Sequence, residues 1–137
     1  SSTKLVVGHH PRMLASLPDG VMLYEVAGPL FFGAAEKAAG ALATAGERAS
    51  VVILDLAGVP VIDATGLVAL ESAIRKLHTA DVMVVLAACK PQPLEVMAKA
   101  GIRDAPGKVA FCKTLGEAEM LVRLVIRQRS DATDSAG

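Results

Sequence analysis

A carboxylate, a hydroxyl and a glycine stand together in Val59-Pro60-Val61-Ile62-Asp63-Ala64-Thr65-Gly66-Leu67, between the apolar run Val51 to Leu56 and a helix-patterned segment. A strand-to-helix turn leaves backbone N–H groups without partners, and a helix N-terminus carries partial positive charge. Thr65 there suits two roles, a cap on the helix or a site for phosphate. Phosphorylating it would add nearly two negative charges and alter any surface docked on the turn. Gly66 costs a first helical turn about 1 kcal/mol relative to alanine, so close approach of a partner or a phosphate to the backbone is expected. Pro29-Leu30-Phe31-Phe32 places two aromatic rings in another strand-to-helix connection. Either both rings fold under the next helix, or one stands exposed as an anchor for a partner.

Other chemistry is sought without success. Gly28-Pro29-Leu30-Phe31-Phe32-Gly33 has the glycine spacing of a phosphate-binding loop, but Ala34-Ala35 follow where Lys and Ser or Thr are required. No GxGxxG, GxSxG or HExxH is present. Asp55 and Asp63 are read as turn and cap aspartates, because no histidine accompanies them in sequence. Cys89 and Cys112 form no CxxC pair and are expected in strands as small buried hydrophobes. His9, His10 and His78 lack metal-ligand spacing relative to them. The expectation is a protein that is no enzyme, with no metal and no cofactor, nucleotide binding being conceivable but without a motif.

The elements that must position these residues follow from pattern. The 137 residues are 53% hydrophobic, with one Tyr and no Trp, so one domain with an aliphatic core is expected. Fourteen basic and fourteen acidic residues cancel, and no basic stripe with interleaved aromatics points to nucleic acid. No apolar run nears the roughly 18 residues of a membrane span. The chain opens Ser1-Ser2-Thr3-Lys4 without Met or an apolar leader, which suggests a piece of a longer protein.

Val21 to Ala27, Val51 to Leu56, Val82 to Ala88 and Val109 to Cys112 read as strands, and Lys4 to Val7 and Arg12 to Leu17 as short strands upstream. Helices are expected over Gly33 to Ala45, from Leu67 through Leu77, over Pro93 to Ala100, and from the capping box Thr114-Leu115-Gly116-Glu117 onward. Gly101-Ile102 fits a Schellman stop. Residues 130–137 are small and polar and read as a disordered tail after a single domain over 1–129. The alternation gives an α/β domain, a central mixed sheet of about four or five strands with a largely parallel core, flanked by about four helices.

Asp63-Ala64-Thr65-Gly66-Leu67 resembles the Asp-Ser-Ser-Gly-Leu signature of STAS domains, the module of sulfate-transporter C-termini and bacterial anti-sigma factor antagonists. Val26 to Glu36, Val59 to Asp63 and Pro91 to Ile102 are similar to the SulP anion-transporter branch, and the likeness covers roughly Val21 to Leu124. The resemblance implies a non-catalytic regulatory and protein-interaction domain of a transporter for sulfate, bicarbonate or dicarboxylates, on the cytoplasmic side of the membrane. It implies docking on the transporter's own transmembrane domain and on a cytosolic protein such as acyl carrier protein. The surface would be Asp63, Gly66 and Leu67 with the following helix, joined by Phe31 and Phe32. The alternative it implies is a free-standing phosphoswitch of the antagonist kind, acting at Thr65. Ala64-Thr65 stands where antagonists have paired serines, a departure from that kind.

Overall fold

The structure, a computed structural model, describes residues 4–5, 17–45 and 48–136. The chain runs β1 (Lys4–Leu5), β2 (Val21–Ala27), α1 (Phe32–Ala45), β3 (Val51–Gly58), α2 (Ala64–Thr79), β4 (Met83–Ala87), α3 (Pro91–Lys99), β5 (Val109–Cys112) and α4 (Leu115–Ala136). The rest of the upstream strands read from the sequence, Val6-Val7 and Arg12 to Ser16, lies outside the described residues.

The strands lie side by side in chain order, and every strand pair is parallel. The sheet expected to be mixed is therefore parallel throughout its ladders. Among the described residues the antiparallel pairing is one isolated bridge, Ala105 to Val109. The cause is the helix between each pair from β2 to β5, which carries the chain back to the same end of the sheet.

Sequential order with crossovers of one hand places α1, α2 and α3 on one face. Leu42, Leu70, Ile74, Leu77 and Met97 pack there on Met22, Val52, Leu54, Val84 and Leu86. Ala118 and Val122 of α4 cover the other face, on Val21, Leu23, Val51, Ile53, Met83 and Val85. Successive residues of β3 thus enter opposite cores, which is why Val51 to Leu56 is apolar without alternation.

The helix ends follow their local chemistry. At the end of α3 the Ile102 N–H reaches Met97 O at 3.0 Å and the Gly101 N–H reaches Ala98 O at 3.0 Å. Gly101 sits at φ +87°, so the Schellman stop is complete. At the start of α4, Thr114 Oγ1 accepts the Glu117 N–H at 3.1 Å, and Glu117 Oε2 accepts the Thr114 N–H at 3.1 Å. Helix α4 continues to Ala136, through most of the segment read as a disordered tail. No Gly or Pro interrupts it after Gly116, and propagation of a nucleated helix is cheap. Arg129 also ties it down, donating from Nη1 to Ser50 O at 3.1 Å.

Candidate functional site

The turn after β3 is held from three directions. Asp63 precedes α2 with extended backbone (φ −89°, ψ 177°), and its Oδ1 accepts the Gly66 N–H at 2.7 Å. The cap of α2 is therefore Asp63. Thr65 sits one residue inside the helix, exposed, and its hydroxyl donates to the same Oδ1 at 2.9 Å. Its oxygen keeps lone pairs toward solvent at the positive end of the helix. Asp63→Ala is expected to lower stability by about 1 kcal/mol, and Asp63→Asn by a few tenths. Urea unfolding of the two variants against the parent checks this.

Gly66 is explained inside the molecule. A Cβ at Gly66 would overlap the Leu30 carbonyl oxygen and lie 3.0 Å from the Leu30 carbonyl carbon. The close approach expected from this glycine is thus made by the chain's own β2–α1 connection. Leu30 bridges Ile62 in parallel fashion, donates to Val61 O at 2.9 Å, and accepts from the Asp63 N–H.

The same bonds bring Phe31 beside the turn. Phe31 is 49% exposed, so this ring does not fill the core. Phe32 opens α1, and its side chain lies outside the described residues. Leu67 is half-buried and packs on the core under α1 to α3, so among the expected binding residues it serves mainly the interior.

A groove of about 360 Å³ runs from Thr65 between α1 and α2. Ala39, Gly40 and Ala43 keep its α1 wall low, while Val68, 62% exposed, and Ser72 rise from α2. Glu36 and Lys76 are its charged members. The sequence reading passes over Val68; its signal is an apolar residue one turn after Thr65 on an otherwise polar face. Gln92 of α3 is missed as well. Its side-chain amide clasps Ile62, Oε1 accepting the Ile62 N–H at 2.9 Å and Nε2 donating to Ile62 O at 3.0 Å.

Asp55 and Asp63 stand at different places. Asp55, 3% exposed, accepts the Ala57 N–H at 3.0 Å. It lines a cleft of about 540 Å³ with Glu25 and Lys113 at the carboxyl end of the sheet, whereas Asp63 caps α2. Cys112 ends β5, but Cys89 falls just past β4 rather than within it. Burial pushes the Cys89 thiol up to about 11 and raises that of Cys112, with Glu117 and Asp104 adding to the latter. The nucleophilic thiolate of Cys89 is thus scarce at neutral pH. Iodoacetamide at pH 7 is expected to leave Cys89 unmodified in the folded protein and to alkylate it in urea, as read by peptide mass. No group of three or more His, Cys, Asp or Glu that could hold a metal occurs among the described residues.

These observations define a parallel α/β scaffold that presents a capped turn, an exposed ring and a shallow helix–helix groove on one side. The chain belongs to the STAS domain family, whose model matches residues 12–118. Among solved structures it is similar to a sulfate transporter family protein from Wolinella succinogenes, at 28% identity and a TM-score of 0.71, over 81% of this chain and 91% of that one. It is also similar to the SulP transporter STAS domain from Vibrio cholerae, at 27% identity and a TM-score of 0.70, over 85% and 95%. A Thermotoga maritima protein described as an anti-sigma factor antagonist shares the fold at 18% identity and a TM-score of 0.62, over 79% and 92%. No curated protein sequence matches the chain.

Proposed function

We propose that this domain is the non-catalytic regulatory module of a SulP-type anion transporter, acting on the cytoplasmic side by docking on its own transmembrane domain and on a cytosolic protein. The observation that carries this reading is the 27% identity to the SulP domain, which extends over 95% of that chain. The geometry is consistent with it. Val68 and the α1–α2 groove adjoin Thr65, and Phe31 is exposed in the connection whose Leu30 packs on the same turn, giving apolar surface near a helix N-terminus. No helix among the described residues is long and apolar enough to cross a membrane, so on this reading the transport path lies in a separate part of a longer protein.

Fractionation of source cells and immunoblotting with antibody against this domain tests the reading. A band several times larger than 14.1 kDa in the membrane fraction is expected. A band near that mass in the cytosol would overturn it.

A second reading, an antagonist-like phosphoswitch, is favoured by one feature. The Thr65 hydroxyl is exposed, and phosphate there would sit at the N-terminus of α2. Its distance from Asp63 weighs against it, because a phosphate would meet that carboxylate at 2.9 Å from the bridging oxygen. On the switch reading, intact mass after incubation in source-cell lysate with ATP shows one phosphate on the parent and none on Thr65→Ala. No gain on either removes this reading.

A further inference from the structure

The C-terminal half of α2 carries a second concavity, away from the turn. A groove of about 300 Å³ lies between α2 and the segment joining α3 to β5. Arg75 and His78 enter it from α2, and Arg103 and Lys108 from the joining segment, against a single carboxylate, Glu71. Arg75, Arg103 and Lys108 against Glu71 leave about two net positive charges here, in a chain whose fourteen basic and fourteen acidic residues cancel. The loop's own carboxylate, Asp104, is engaged elsewhere, accepting the Phe111 N–H at 2.9 Å.

The groove is built by a fixed loop. Gly101 and Gly107 supply positive φ of 87° and 75° at its two bends. Between them the Ala105 N–H donates to Val109 O at 2.8 Å and the Lys108 N–H to Ala105 O at 2.9 Å. Lys108 O accepts the Val84 N–H at 2.8 Å and lies 3.2 Å from His78 Nε2. A carbonyl only accepts, so in this contact Nε2 carries the proton. Ile74, Ile102 and Val109 add apolar surface to the lining.

We propose that this groove binds a phosphomonoester, its dianionic head set among Arg75, Arg103 and Lys108 and its organic part laid on Ile74 and Ile102. The charge match selects a dianion, and phosphate monoesters carry close to two charges at neutral pH. Guanidinium groups pair with phosphate oxygens through two N–H donors at once, and two of the three permanent cations are arginines. The volume is at the lower end of small-molecule sites. This assignment is independent of whether the domain belongs to a transporter.

Amide chemical shifts of the 137-residue chain, followed during titration with phenyl phosphate, test the proposal. Saturable changes are expected at Arg75 to His78 and Ile102 to Lys108, weakening as salt is raised. Arg103→Gln with Lys108→Gln is expected to weaken binding by about tenfold or more, because charge-assisted hydrogen bonds are lost. Glu71→Gln is expected to tighten it. Sedimentation with phosphatidylcholine vesicles, with and without phosphatidate, separates the two sources of this chemistry. Response to the phenyl ester assigns a free metabolite, and response to phosphatidate vesicles alone assigns a lipid headgroup. No response to either probe, shifts confined to the Thr65 turn, or binding indifferent to the double substitution in a variant with unchanged thermal unfolding would overturn the proposal.

Discussion

Gly66→Ala is expected to destabilise the domain by about 3 kcal/mol, the upper end of overpacking costs. The new methyl group would meet the Leu30 carbonyl, which is backbone, so no side-chain rotation relieves the overlap. Leu30 is itself fixed by its bonds to Val61 and Asp63 and by burial at 2% exposure. The N-terminus of α2 must therefore shift away from the β2–α1 connection, loosening the 2.7 Å cap from Asp63. Gly116→Ala is the control, another glycine in a first helical turn. Its added Cβ meets nothing closer than Thr114 Oγ1 at 3.8 Å, and helix propensity predicts a gain of about 0.5–1 kcal/mol. Urea unfolding of both variants decides the matter; equal stabilities would mean that the packing of α2 on Leu30 is not tight.

The local parts of this structure are legible because their causes are local. Val51 to Leu56 announces a strand covered on both faces, and both cores are present. The capping box at Thr114 and the stop at Gly101-Ile102 form with the expected partners, since each closes within five residues. The beginning of α2 is harder to read. Its apolar periodicity starts at Leu67, but the helix starts at Ala64, which makes Asp63 the cap and leaves Thr65 in the first turn. The sequence indicates that something presses on Gly66 without indicating what. The answer is Leu30, brought there by the pairing of β2 with β3. Residues 130–136 mislead for a related reason, because small polar composition carries no record of a helix extended from Val122 and held at Arg129.

The same logic gives the other large effect. Gln92→Ala is expected to destabilise by about 2 kcal/mol, because it leaves both backbone groups of Ile62 without their partner. Ile62 is 1% exposed, and its N–H and C=O point to the one amide that satisfies both. Water entering in place of the side chain recovers part of the loss, so the cost stays below that of two orphaned groups. Gln92→Glu discriminates a bidentate clasp from simple packing. The carboxylate retains the acceptor for the Ile62 N–H but presents no donor to Ile62 O at neutral pH, so an intermediate loss is expected. Lowering the pH through the ordinary carboxylate range restores a donor, and the deficit of Gln92→Glu relative to the parent should then shrink. Because Ile62 adjoins Asp63, the amides of 63–66 should exchange hydrogen faster in Gln92→Ala, by more than those of β5. Hydrogen exchange that rises equally everywhere would reduce Gln92 to a contributor to global stability. A rise confined to the turn makes α3 the support that holds Thr65 in place.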